Sequence, residues 1–568
     1  MNRVISQAIF VTVSALFALL FLVPLGMVVR GGFIVNGQLT LKYLLGVFQN
    51  PIYAEGLLNS LMLAIGTTTV VTLIAVPLAW LSNKFEFPGK KWVSGLILVP
   101  MILPPFVGAI GFQQMLGPYG ALNALLGLGP VDWLGRMQYW GVVLLQALSL
   151  YPIMYLNASA ALANIDPAME EAAANLGCKG FVKLRRITLP LMMPGLFAGG
   201  TIVFIWSFTE LGTPLILNYT KCASVQVFDA LKEIGSNPFP YALVFVLLAS
   251  SVALYVIGKI MLGGHAYAMQ SKAATISNAL TIKGLRGLLV LLPFVLVIFV
   301  ALIPHLGVIA TSIARPGSWY KTILPAVLTI DNYVEAIGHE MTVSSIRNSL
   351  IYSALAVALN AVLGIAIAFV VVRSDIRGRG ILDALAMLPL AVPGLVMAFG
   401  YLAVSAHLSN TEWVKNSSFW QNMLDVRSNP TFFLVIAYSM RRLPYMVRSA
   451  VAGLQQTSVT LEEAAANLGA GFLTTLRRIT VPLITANLIA GGLLAFAFSM
   501  LEVSDSLMLA QRADYYPITK TIYELFHLIG VGQYIASALG VWAMAFLAVT
   551  ILGASVILGK KLGAIFRA

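Results

Sequence analysis

The chain has 568 residues, 59% of them hydrophobic and 10% charged, with a formal net charge of +13. That balance fits no soluble globular class, in which roughly 25% of residues are charged, and it asks for a membrane. The basic residues are dispersed between apolar runs and form no stripe, so a nucleic-acid partner is not expected and the charge belongs to membrane topology.

Twelve apolar runs near or above the ~20 residues that cross a bilayer follow one another along the chain. They lie at about 10–29, 57–81, 92–114, 139–162, 189–217, 239–262, 284–312, 349–372, 381–406, 431–452, 481–510 and 534–558. The expected fold is an all-α polytopic membrane protein. The runs at 189–217 and 481–510 are longer than a span needs and leave room for a re-entrant or interfacial turn. Arg3 before the first run has the look of a secretory signal, but the apolar core is long for one and no small-x-small site precedes Arg30. A retained first helix is expected.

With the N-terminus inside, the inner segments hold twenty Lys and Arg residues against twelve on the outer segments. The excess predicts both termini in the cytoplasm. Cys178 and Cys222 then fall on opposite sides and cannot pair, and the five histidines are scattered. Neither a disulfide framework nor a metal site is expected.

One short string occurs twice. Glu171-Ala172-Ala173-Ala174-Asn175-Leu176-Gly177, followed by Ile187, Leu189 and Pro190, recurs 292 residues later as Glu463-Ala464-Ala465-Ala466-Asn467-Leu468-Gly469, followed by Ile479, Val481 and Pro482. The match extends outward, with Asn59-Ser60-Leu61 recurring as Asn348-Ser349-Leu350, Gly89 as Gly378, Pro100 as Pro389 and Pro104 as Pro393, all 289 apart. The three extra residues enter in an outer loop, where no packing opposes them. The chain reads as two six-helix halves, 1–262 and 284–568, joined by a linker at 263–283. Both strings face one side, so the repeats are parallel and are expected to be related by a pseudo-twofold axis along the membrane normal. Helices one and seven are then the peripheral first helix of each half.

The spacing E-A-A-x3-G-x9-I-x-L-P, in loops at about 164–190 and 456–482, resembles the cytoplasmic loop of permease subunits of binding-protein-dependent ABC importers; Val481 stands where the pattern has Leu. The fused length and Pro104-Pro105-Phe106-Val107 are similar to the iron(III), aminoethylphosphonate and thiamine group of that family. The resemblance implies the type I importer permease fold with both halves of the pore in one chain. It implies that Glu171, Ala172, Ala173 and Gly177, with Glu463, Ala464, Ala465 and Gly469, form coupling helices that dock on two copies of an ABC ATPase subunit. ATP and magnesium are then bound by that partner, and this chain binds no cofactor. An extracytoplasmic solute-binding protein delivers the solute, and the setting is the bacterial inner membrane.

The loop residues suit that role. Asp166-Pro167 supplies an N-cap oxygen and a proline at N1, and Ser458 is the second copy's N-cap. The alanines give helix propensity with little bulk, so a partner can approach closely. Gly177 and Gly469 suit a left-handed residue that ends the helix, and Arg185-Arg186 and Arg477-Arg478 follow at the headgroup level. The pairs Gly89-Lys90, Gly258-Lys259 and Gly559-Lys560 lack the remaining residues of a P-loop, so ATP hydrolysis is assigned elsewhere.

Acids inside a span are costly and point to function. Glu210 and Glu502 lie 292 apart, each with a serine three residues earlier, Ser207 and Ser499, on the same helical face. Two readings stand: the acids line or gate a path between the halves, or they fix packing near the outer end of their helices. In the second half Arg441-Arg442 replace Ser149-Leu150, and Asp505-Ser506 replace Thr213-Pro214. Two adjacent arginines in a span need water, an acid or an anionic solute. They either pair with Glu502 or Asp505 or attract an anion. Pro100, Pro104, Pro105, Pro389 and Pro393 permit kinks in helices three and nine.

The reading is a permease that forms the translocation path of an ATP-driven importer, carrying iron(III) or another small solute, an anion such as a phosphonate included. The rival is a secondary transporter with two six-helix halves, which leaves the duplicated loops unexplained.

Overall fold

A computed structural model of the chain describes residues 3–35, 37–101, 104–136, 138–178, 180–233, 237–262 and 280–558. Most of the expected linker, 263–279, and the side chain of Glu171 lie outside the described parts.

Among the described residues, eleven candidate membrane spans, two of them bent pairs, and one further long helix follow in order. The first half has α1 (Val4–Phe33), α2 (Pro51–Lys84), α3 (Lys90–Met101 with Pro105–Leu126), α4 (Gln138–Ala163), α5 (Leu184–Thr209) and α6 (Phe239–Leu262). The second has α7 (Gly284–Ile313), α8 (Glu340–Arg373), α9 (Arg379–Leu390 with Gly394–Ser409), α10 (Thr431–Gln456), α11 (Phe472–Met500) and α12 (Gly532–Leu558). Nine of these are long and apolar enough to span by themselves, and α3 and α9 are bent pairs. α10 falls short because Arg441, Arg442 and Arg448 sit in every stretch of it that is long enough to cross.

The two parts of α3 meet at 95° and those of α9 at 99°. Pro105 begins the second part of α3 and Pro393 precedes that of α9, since proline cannot donate to the preceding turn. These bends bring Pro100 and Pro104, with Pro389 and Pro393, to one central cavity.

The halves repeat each other in detail. α2 and α8 each have 34 residues. Near the start of each, the repeated Asn-Ser pair ties down the loop between the fifth and sixth helices of its half. Asn59 Nδ2 donates to the Lys221 carbonyl at 2.8 Å and Ser60 Oγ accepts from the Ala223 N–H at 3.0 Å. Asn348 Nδ2 donates to the Asp514 carbonyl at 2.8 Å and Ser349 Oγ accepts from the Ile518 N–H at 2.7 Å.

The first helix of each half also grips the opposite half. Gly111 on α3 and its counterpart Gly400 on α9 mark the crossings with α7 and α1. A Cβ on Gly111 would lie 2.4 Å from the Pro304 carbonyl oxygen, and one on Gly400 would lie 2.8 Å from that of Pro24. Only glycine lets those backbones touch. Tyr401 on α9 donates its hydroxyl to the Leu20 carbonyl at 2.8 Å, fixing α1 across the boundary. Leu280–Thr281 pairs in parallel with Phe85–Glu86, so the chain entering α7 is held at the loop end of α2.

Candidate functional site

The two repeated loops are built alike. Pro167–Asn175 and Thr460–Asn467 are helical. Asp166 caps the first as expected, its Oδ1 accepting from the Ala168 N–H at 2.9 Å; in the second Val459 takes the N-cap position without a side-chain cap, and the expected Ser458 stands one residue earlier, its Oγ accepting from the Thr460 N–H at 3.3 Å. Gly177 and Gly469 have φ of 82° and 83°. The N–H after each glycine closes back on the helix, Cys178 to the Ala173 carbonyl at 2.9 Å and Ala470 to that of Ala465 at 3.0 Å. Ala173 and Ala465 face inward and are buried, whereas Ala172, Ala464 and Glu463 are exposed.

Two features of these loops escaped sequence reasoning. Leu176 and Leu468 are each 89% exposed, and Met169 and its counterpart Leu461 are exposed as well. An apolar set is thus held out on a polar loop at matched positions in both halves. The other feature is a clamp on the second loop. Arg373 Nε at the end of α8 lies 3.2 Å from Glu462 Oε2, its Nη2 donates to the Thr457 carbonyl at 3.0 Å, and Thr480 donates to Glu462 at 3.1 Å. Glu462 is thus the inward acid, while its neighbour Glu463 is exposed.

After each loop the sequence Leu-Arg-Arg-Ile-Thr forms a wider, π-helical turn, at Leu184–Thr188 and Leu476–Thr480, with the arginines exposed. From there α5 and α11 run without interruption to the two acids. At ~1.5 Å per residue the 26-residue α5 is a strut about 39 Å long between the loop and Glu210.

Glu210 and Glu502 lie where those struts end. α5 stops at Thr209 and α11 at Met500, after which Gly212–Ile216 and Ser504–Leu509 form short helices. The two long apolar runs therefore do contain a break, and the acids occupy it. Matched hydroxyls hold both breaks: Ser224 donates to the Glu210 carbonyl and Thr519 to the Glu502 carbonyl, each at 2.7 Å. Both acids line a cavity of about 150 Å³ formed jointly by the two halves. Ser207 and Ser499 are buried and are not brought to that cavity, because the helical phase that relates them to the acids ends before the acids are reached.

Arg441 and Arg442 line the same cavity from α10. Arg441 Nη1 lies 2.8 Å from Glu502 Oε1 and 3.7 Å from Asp505 Oδ2, and Arg442 Nη2 lies 2.5 Å from Glu502 Oε2. Arg442 Nη2 also donates to the Phe498 carbonyl at 3.1 Å, with its guanidinium 5.3 Å from the Phe498 ring centroid. Of the two roles open to the arginine pair, the internal ion pair is the one the geometry makes. Asp505 lies behind the cavity wall, touching it through Arg441.

Gly394 makes that arrangement sterically feasible. A Cβ there would fall 1.4 Å from Arg441 Nη1. The equivalent first-half position is Pro105, opposite the short Ser149, so glycine and arginine have changed together in the second half. Gly394→Ala is expected to push the guanidinium off Glu502 and cost about 1–3 kcal/mol. In the Arg441→Ala background the same change should cost little, by thermal unfolding in a double-mutant cycle. A penalty that persists in that background sinks the contact.

A second cavity of about 560 Å³ lies on the side away from the loops and includes Asp229, Arg427 and Lys520 in its lining. The short helix Ser504–Leu509 separates the two volumes, its Ser504 lining the inner one and its Leu507 and Met508 the outer one.

Comparison with known proteins places this architecture. The family described as binding-protein-dependent transport system inner membrane component matches the chain twice, over residues 72–263 and 360–561. Among similar proteins is the ferric transport system permease protein FbpB of Actinobacillus pleuropneumoniae, 26% identical over 479 residues, covering 81% of this chain and 64% of that protein. Another is the Fe(3+)-transport system permease protein FbpB 2 of Haemophilus influenzae, 24% identical over 478 residues, covering 81% of this chain and 82% of that protein. The double match overturns the secondary-transporter reading, which has no use for two copies of this domain. The chain belongs to the binding-protein-dependent transport system inner membrane component family, as a multi-pass permease with both halves fused.

Proposed function

We propose that this permease carries iron(III) across the bacterial cytoplasmic membrane and is driven through its two loop helices by two copies of a separate ATPase subunit. ATP and magnesium bind on those subunits, and an extracytoplasmic binding protein delivers the solute to the outer cavity. Both termini are cytoplasmic, as the Lys and Arg excess requires. The observation that carries the reading is the pair of loop helices. They present matched exposed leucines on one side of the membrane, each joined by one continuous helix to an acid in the cavity between the halves.

The mechanism follows from that connection. When the ATPase subunits close, they draw the two loop helices together, and α5 and α11 transmit the movement as stiff struts. Their far ends carry the breaks at Glu210 and Glu502, so the short helices that follow are displaced and the path is re-formed around the cavity. Iron is the substrate proposed because the two relatives described above are ferric permeases.

Co-expression with its ATPase subunit should yield a stable complex, and cells or vesicles containing it should show vanadate-sensitive uptake of radiolabelled iron(III). Uptake that survives vanadate and follows an ion gradient, or a chain that retains no ATPase through purification, sinks the proposal.

A further inference from the structure

We propose that the cavity between the halves selects a positively charged solute, and that Glu210 is the group the solute meets. This rests on the iron(III) translocation reading above and adds to it the residue that meets the cation, argued from the cavity's own charges.

The argument is an inventory of charge. Each guanidinium in the cavity has its own oxygen of Glu502, at 2.8 Å for Arg441 and 2.5 Å for Arg442. Asp505 stands 3.7 Å from Arg441 as a second acid. Glu502 and Asp505 are sealed from solvent, with side chains 3% and 1% exposed. The two arginines are therefore answered by two acids, and an anion could recruit them only by leaving a buried carboxylate uncompensated.

Glu210 is the third acid and is in no such direct pair. Its carboxylate accepts from the Thr213 N–H at 3.4 Å and meets the Gly212 N–H, Arg441 acts on it only at a distance, and among the described residues no Lys or Arg nitrogen lies within 4.0 Å of it. The duplication explains why. The acid is present in both halves, but where α10 carries Arg441 and Arg442, α4 carries Ser149 and Leu150. The second half supplies both arginines, each in direct contact with Glu502, and the first half supplies none, so three acids face two cations. The charge left open to the cavity is a carboxylate from the first half.

One open carboxylate suits passage better than storage, because a path must bind its solute weakly enough to release it. Among the described residues no group of three or more His, Cys, Asp or Glu is arranged to hold a metal ion. A cation would be met at Glu210 and handed on.

The test uses the full complex of this chain with its ATPase subunits in lipid nanodiscs, and terbium(III) as a trivalent probe. Trp206 and Tyr445 line the same cavity and can sensitise terbium emission. Saturable emission is expected, with an apparent affinity at least tenfold weaker in Glu210→Gln, and with intensity but not affinity reduced in Trp206→Phe. Sulfate, an oxyanion that leaves terbium in solution, should not compete. The proposal is overturned if Glu210→Gln binds terbium like the parent. It is equally overturned if the parent shows no saturable emission in either the nucleotide-free or the vanadate-trapped state, or if sulfate competes in a manner lost with Arg441→Gln. Blocking the cavity separates this from the path reading. Ser149→Cys modified with a bulky thiol reagent should stop uptake; if uptake continues, the path is elsewhere, whereas a block with Glu210-independent terbium binding leaves the path standing and removes the charge class.

Discussion

Replacing Glu502 with glutamine is expected to destabilise the protein by about 3–5 kcal/mol, the usual cost of breaking a buried ion pair from one side. Glu502 is 3% exposed and gives one oxygen to each arginine. Without its charge, Arg441 retains Asp505 at 3.7 Å and the more distant Glu210, and Arg442 retains the Phe498 carbonyl and ring. Two guanidinium groups would then be left in a low-dielectric setting with no acid within hydrogen-bond reach. The expected result is a sharp fall in detergent-stable yield and in the midpoint of thermal unfolding, ahead of any specific loss of transport.

The same reasoning predicts a rescue. Arg441→Gln with Arg442→Gln alone leaves Glu502 and Asp505 buried and unpaired, and should be as damaging as the loss of Glu502. Adding Glu502→Gln to that pair removes most of the imbalance, and the triple variant should regain stability relative to the double. A Glu502→Gln protein as stable as the parent, or a triple variant worse than the double, defeats the ion-pair account. Glu210→Gln should behave differently and leave stability nearly unchanged, because Arg441, the cation that acts on it, keeps Glu502 at 2.8 Å and Asp505 at 3.7 Å.

The contrast between the two acids shows where sequence reasoning reaches and where it stops. That Glu210 and Glu502 correspond, and that Arg441, Arg442 and Asp505 have no first-half counterpart, follows from the repeat alone. The left-handed glycines of the loops were legible for the same reason, since two copies in register fix what one leaves ambiguous, whereas of the two expected caps only Asp166 sits at the N-cap. Ser207 and Ser499 were misplaced because a three-residue spacing implies a shared face only while the helix continues, and here it ends one residue before Glu210 and two before Glu502. The Gly394 and Arg441 contact joins different helices, and no spacing in the chain reveals it. Leu176 and Leu468 were legible as part of the repeated string but not as exposed, because exposure of an apolar side chain is a property of the folded surface. The grip of α1 and α7 on the opposite halves is likewise a matter of packing, although the glycines that permit it, Gly111 and Gly400, do sit 289 apart.

Arginine at both Gly177 and Gly469 is expected to lower iron uptake at least tenfold and to release the ATPase subunits, while the chain still inserts and keeps most of its stability. Nothing lies within 4 Å of a Cβ built at either glycine, so the lesion is not a clash inside the permease. It has two parts. A non-glycine residue at φ near 82° pays roughly 1–2 kcal/mol, which loosens the turn that aims the loop helix. A long cation then projects beside Leu176 or Leu468, where a partner has to approach. Asparagine tolerates the left-handed region better than other residues and is short, so Gly177→Asn with Gly469→Asn should retain most uptake. If asparagine is as harmful as arginine, strain alone governs the loop and the docking surface is not at this turn. The second loop helix is clamped through Glu462 to Arg373 and Thr480, so in the single variant Gly469→Arg the helix should keep its position and the loss of uptake should come from bulk at the docking face. Normal uptake with full ATPase retention in the double arginine variant would remove both loops from the coupling role.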